Sequence, residues 1–268
     1  MTDTPLSMRP TKKRMAAFLI CLGLWSPPRT EAEDIVVAAA SDMTFAIREI
    51  IEDFESSTPH TVRLSLGSSG NFFTQIQNGA PFDVYLSADI NYPEQLAASD
   101  LIEPGSLFSY AFGRIVVWAR NGSSTDPTSL GMAALVENVG RVAIANPRHA
   151  PYGRAARSAL EYFQLWESVS NRLVLAENVA QAAQFAESGA AEIAIIALSL
   201  ASSDPLRAAG RFWEIPSPAH PQLTQGGVIL PHARNTGRLR AARSFTAWMQ
   251  NGSARAILER YGFSLPSD

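Results

Sequence analysis

After residue 33, short apolar runs alternate with helical patterns along almost the whole chain. Residues 35–40 read as a buried strand, and Ala46, Ile47, Ile50, Ile51 and Phe54 then recur at helical spacing. Val62, Leu64 and Leu66 alternate as in a strand, and Phe72, Phe73 and Ile76 open the next helix. Further strands are predicted at 83–86, 114–119, 141–145, 173–176, 192–197 and 227–230. Helices are predicted at 129–136, at 152–163 and through Val179, Ala182, Ala183 and Ala186. Leu239, Ala242, Phe245, Trp248 and Met249 line a C-terminal helix, and a short one ends near Tyr261. Strand–helix alternation predicts an α/β fold built on parallel sheet. The polar loop 122–129 and the proline-rich segment 216–225 are the expected hinges or crossings between lobes.

Composition adds limits. The chain has 268 residues, 46% hydrophobic and 18% charged, as an ordinary globular protein does. That length allows one large domain or two modest ones. A formal charge of −3 argues against a nucleic-acid or anionic-membrane surface. No stretch reaches the eighteen or more apolar residues of a spanning helix.

The first 32 residues differ from the rest. Arg9, Lys12, Lys13 and Arg14 are followed by an apolar run from Met15 to Trp25, then by Pro27, Pro28 and acidic residues. That order is the mark of a secretory signal peptide, with cleavage expected near Ala32 and a periplasmic destination. Its removal leaves 17 basic against 23 acidic residues, a net charge of −6. The single cysteine, Cys21, lies inside the apolar run without the small neighbour that lipidation needs. The mature chain is therefore expected to carry no disulfide and no zinc–cysteine site.

Four loops share one layout: a strand ends, small or hydroxyl residues follow, and a helix begins. They are 38–42, 67–71, 146–153 and 176–179. Helix N-termini expose unpaired N–H groups and a positive dipole end. In open α/β sheets such loops gather at the carboxyl ends of strands, where ligands bind. Several facing one another would make an anion cage of neutral donors. Taken alone, Ser41 and Ser69 read as plain helix caps. The turn 67–70 lacks the ending of a P-loop.

Together, Ala38-Ala39-Ala40-Ser41, Gly67-Ser68-Ser69-Gly70, the segments 79–84 and 87–89, Asn146-Pro147-x-His149-x-Pro151-x-Gly153 and Arg260-Tyr261-Gly262-Phe263 resemble the periplasmic molybdate-binding proteins of ABC transporters. The resemblance runs from about residue 34 to 264. It implies a type II periplasmic-binding-protein fold: two α/β lobes, a ligand cleft and two crossover segments. The expected organisation is a signal peptide at 1–32, a first lobe of 33–114 with 227–268, and a second lobe of 115–226. The implied ligand is molybdate or tungstate, delivered to a permease and its ATPase by a monomer without cofactor. Carried over by position, Ser41 and Ser69 would donate hydroxyl and backbone N–H groups, and Val179 its backbone N–H. Ser41, Ser69, Tyr152 and Val179 are thus the implied oxyanion ligands, and the implied metal-site residues where molybdate is counted as a metal ligand.

Two departures stand out. Many members place a tyrosine in the strand that here ends at Ala197, so the hydroxyl of Tyr152 is expected to reach the anion instead. Asp42, beside Ser41, would repel an oxyanion if it pointed inward, and is expected to face solvent. Arg148 and His149 read as a solvated pair or as anion steering. Trp118 and Trp213 read as packing residues.

Other functions fit less well. A serine hydrolase would need Gly-x-Ser-x-Gly, and the spacing at 67–70 is wrong. His60, His149, His220 and His232 lie in loop or turn contexts, without metal-ligand spacing. A receptor for sulfate, phosphate or another small anion is the nearer alternative. A regulator's sensing domain lacks its helix-turn-helix segment here.

Overall fold

The computed structural model describes residues 1–4, 31–137 and 139–266. The basic–apolar segment lies almost wholly outside them. Residues 32–268 form one compact unit.

Within that unit two five-stranded sheets form. The first contains β1 (Asp34–Ala40), β2 (Thr61–Gly67), β3 (Val84–Ser87), β4 (Phe108–Gly113) and a late strand, β10 (Leu223–Ile229), in the order β2-β1-β3-β10-β4. The second contains β5 (Ile115–Arg120), β6 (Val142–Ala145), β7 (Leu173–Ala176), β8 (Ile193–Ala197) and β9 (Gly210–Glu214), in the order β7-β6-β8-β5-β9. In each sheet four strands run in one direction and one is opposed to them: β10 lies between β3 and β4 in the first, and β5 between β8 and β9 in the second. The sheet is thus mixed, not simply parallel.

The chain crosses between sheets twice: at Arg114, between β4 and β5, and over 215–222, between β9 and β10. The proline-rich crossing was expected. The loop 122–129 is no crossing, because β5 and β6 on either side of it share one sheet. Residues 223–226, expected in the second lobe, already belong to β10 of the first sheet.

The helices follow the apolar periodicity. Ala46–Ser57 buries Ala46, Ile47, Ile50, Ile51 and Phe54, and Leu239–Trp248 adds Ala241, Ala242 and Phe245 to the same core, where the Phe54 and Phe245 rings meet edge to face. The second lobe buries its sheet under Pro151–Tyr162 and Val179–Ser188. Apolar burial contributes roughly 0.8 kcal/mol per methylene, so these stripes stabilise each lobe. Trp118 is fully buried, and its indole N–H donates to the Leu206 carbonyl at 3.3 Å. Strands β4 and β9 were not foreseen. The 129–136 helix is a short turn at Pro127–Leu130 followed by a 3-10 segment, Gly131–Leu135.

Candidate functional site

The parallel strands β1 and β6, with β2 and β7 beside them, end where the two lobes meet. β1 runs directly into a helical turn, and β2, β6 and β7 each lead into a helix through a short loop. Ser41 opens the turn Ser41–Met43 after β1, and Ser69 opens the helix Ser69–Gln77 after β2. Tyr152 is the second residue of Pro151–Tyr162, and Val179 the first of Val179–Ser188. All four line one small cavity between the lobes, together with Ala40, Asp42, Gly67, Ser68, Ala88 and Asn178. The structure thus brings every expected residue to one place.

The two serines are not helix caps. Ser41 Oγ accepts from the Ala180 N–H of the opposite lobe at 3.3 Å, and Ser69 Oγ accepts from the Ala88 N–H at 3.0 Å. A hydroxyl has one hydrogen to give. With a backbone N–H already donating to the oxygen, that hydrogen is left for a further acceptor. The N–H groups in the first turn of each helix have no carbonyl partner within the helix. The cavity wall is therefore rich in neutral donors.

The lobes touch closely around it. Gly70 N–H donates to the His149 carbonyl at 2.9 Å, and Ser68 Oγ donates to the same oxygen at 2.8 Å. A Cβ on Gly70 would lie 2.4 Å from that carbonyl, so only glycine allows this approach. Ser199 Oγ donates to the Asp42 carbonyl at 2.7 Å. At the rim, Arg154 pairs with Asp89 at 2.5 Å and donates to the Tyr92 hydroxyl at 3.1 Å. Arg148 is exposed, whereas His149 is half-buried with Nδ1 3.0 Å from Ser68 Oγ. Burial holds the His149 imidazole below its ordinary range, with Glu177 opposing and Arg148 adding.

Two expectations are corrected here. Asp42 does not face solvent: it is 1% exposed and lines the cavity. Its position in a three-residue turn, pinned at the carbonyl by Ser199, turns the side chain into the lobe interface. The hydroxyl of Tyr152 does not stand free for an anion. It donates to Asp42 Oδ2 at 3.0 Å and accepts from Gln225 Nε2 at 3.1 Å. Gln225 also donates to Asp42 Oδ2 at 2.5 Å. Burial pushes the Asp42 carboxyl up to about 6, against the hydrogen bonds from Gln225, Tyr152 and its own backbone. Burial, then Asp42, keeps the Tyr152 phenol well above its ordinary value, so it remains a donor.

Gln225 was missed in the sequence because it lay in a stretch read as connector. It sits at a register shift of β10, between Gln225 and Gly226. Such bulges re-aim side chains. No local signal marks it: Leu223-Thr224-Gln225-Gly226-Gly227 has no strand alternation, and the pairing with β4 places the side chain.

Residues 35–264 match the family model described as bacterial extracellular solute-binding protein. The chain is similar to the molybdate-binding protein of Azotobacter vinelandii, with 35% identity over 88% of this chain and 91% of that one. It is similar to the molybdate-binding protein of Rhodobacter capsulatus, with 31% identity over 98% of this chain and 99% of that one. The solved structure of the periplasmic molybdate-binding protein of Azotobacter vinelandii superposes with a TM-score of 0.80 at 32% identity, covering 87% of this chain and 100% of that one.

Proposed function

The chain belongs to the bacterial extracellular solute-binding proteins, and from that premise we propose how its cleft holds its solute. The protein is a periplasmic molybdate-binding protein of an ABC importer and not an enzyme. Ser41 and Ser69 donate their hydroxyl hydrogens to the ion's oxygens. Backbone N–H groups at Ser41, Ser69, Tyr152 and Val179 complete the cage. The observation that carries this reading is the pair of serine hydroxyls whose oxygens already accept from Ala180 and Ala88. Among the described lining residues there is no lysine or arginine, so the ion's charge is met by dipoles and donors alone.

Such a cage selects by size, because its donors are fixed on helix ends and strand ends. Molybdate and tungstate are expected to bind alike, and the smaller sulfate and phosphate to bind weakly. Calorimetric titration with the four ions tests this, and sulfate competing equally with molybdate would overturn it. We also read residues 1–32 as an export signal cleaved near Ala32, and the mature protein as a monomer that docks on a permease–ATPase pair. N-terminal sequencing of periplasmic material and its sedimentation mass check these two points.

A further inference from the structure

Asp42 is the one carboxyl among the described residues that line the cavity, whose other lining groups are neutral. Its Oδ2 is saturated by Gln225 and Tyr152, while Oδ1 is buried and has no hydrogen-bond partner in the protein. The groups packed on it offer no compensation. Tyr152 comes from the helix Pro151–Tyr162, Tyr110 from β4, Gln225 from β10 and Ser199 from the turn after β8. The glutamine and the serine are uncharged, and burial raises both phenols well above their ordinary value. Ser41 and the helix Val179–Ser188 close the remaining side, with no cation among the residues named.

A carboxylate and an oxyanion in one water-excluded site disfavour each other's charge. We infer that capture of the oxyanion takes up one proton on Asp42, so that the liganded cleft holds a neutral carboxylic acid beside the dianion. This rests on the oxyanion reading of the cleft given above. The proton comes from solvent and adds to Oδ1, the oxygen without a partner. The carboxylate becomes a carboxylic acid, and the site's total charge becomes −2 instead of −3. No electron is transferred and no other bond changes. The new O–H is a further donor in a cavity made of donors. The raised carboxyl range of Asp42 without ligand means that little extra repulsion completes its protonation near neutral pH. When the lobes part, water reaches Asp42 and the proton leaves with the ion.

The test is calorimetric titration of the mature protein with sodium molybdate in buffers of different ionisation enthalpy, from about pH 6.5 to about pH 8.5. Below the pKa of the liganded Asp42 and above that of the free one, binding should take up close to one proton. Affinity should fall by up to about tenfold per pH unit across that window. Asp42→Asn, which cannot titrate, should bind without net proton uptake, with a flat profile and at about pH 8.5 more tightly than wild type. Tungstate should give the same profile, because the proton resides on the protein. Wild-type binding of molybdate with no proton exchange would overturn the inference alone. The same slope and uptake in Asp42→Asn would also overturn it. No molybdate binding at all would overturn both this inference and the reading of the cleft. The wild-type titration decides the matter even if the variant fails to fold.

Discussion

Asp42 and Asp83 are both buried on the first sheet, at opposite ends of its parallel strands. Asp83 precedes β3, and its neighbours compensate it fully. Its Oδ1 lies 2.7 Å from His232 Nδ1, and its Oδ2 accepts from the Val36 N–H at 2.8 Å and Arg238 at 3.5 Å. Asp42 follows β1, with two neutral donors on one oxygen and none on the other. Glu103, also buried, is held below the ordinary carboxylate range, first by hydrogen bonding to Arg234. Cations thus accompany the two acids remote from the cleft and are missing from the one that lines it. A buried charge left to neutral partners is a local inconsistency of the kind that collects at functional sites.

The largest test of this contrast is stability at neutral pH. Asp83→Ala removes the anchor of Arg238, of the His232 ring and of one backbone N–H, and should cost about 3 kcal/mol, the low end for breaking a buried pair because Arg238 stays partly wet. Asp42→Asn should be neutral or stabilising, since it removes an uncompensated charge. Urea unfolding of both variants measures this. Equal destabilisation would break the contrast.

The pH dependence of stability gives a comparable effect with a definite sign. The Asp42 carboxyl stands at about 6 in the folded chain against 3.8 when unperturbed. The folded state therefore holds the proton more tightly. Its stabilising contribution is fully present below about pH 3.8 and is lost as pH rises through about 6. Two pKa units correspond to about 3 kcal/mol. Glu103 acts oppositely: its contribution is present above the ordinary carboxylate range and fades as pH falls. Subtracting the unfolding profile of Asp42→Asn from that of wild type isolates Asp42. A difference that stays constant between about pH 4 and about pH 7 would count against the raised value.

Next in size is Ser69→Ala. On the proposed reading it deletes a donor to the ion, and it leaves the Ala88 N–H without its acceptor. A hydrogen bond to a charged acceptor is worth about 1.5–3 kcal/mol, so molybdate affinity should fall by about 10- to 150-fold. An unchanged dissociation constant would return Ser69 to a purely structural role. No such loss is expected at Ser56, whose hydroxyl donates to its own helix's Asp53 carbonyl.

The contrast also marks what the sequence could reveal. The four loops that carry Ser41, Ser69, Tyr152 and Val179 were legible because strand ends and helix starts are local patterns, and parallel strands bring those junctions to one edge; the four residues within them came from the family resemblance. The direction of Asp42 was not legible. A first-turn aspartate satisfies local rules whether it faces water or the interface, and the choice falls to Ser199, 157 residues away. Gln225 depended on a bulge, and bulges follow from pairing with β3 and β4 rather than from local composition. Strand β4, Phe-Ser-Tyr-Ala-Phe-Gly, hides for a similar reason. Its pairing partner β10 lies more than a hundred residues further along the chain.

Tyr152→Phe gives the smallest change and the finest test. The hydroxyl was expected to reach the ion, yet it donates to Asp42 and receives Gln225. Gly113 leaves room for it there, since a Cβ at that position would lie 2.3 Å from the phenolic oxygen. The variant keeps the ring and the backbone N–H, so molybdate affinity near pH 7 should change by no more than about threefold, well under the tenfold that 1.4 kcal/mol represents. Stability should fall by about 1 kcal/mol, the typical worth of one hydrogen bond. The distinctive effect is on the proton. Losing a donor to the charged form makes Asp42 easier to protonate. The pH window of proton uptake should therefore move upward while the ion still binds. A loss of tenfold or more with an unmoved pH profile would place the hydroxyl on the ion after all. A shifted profile with near-normal affinity would place it on Asp42, in the service of the carboxyl rather than of the ligand.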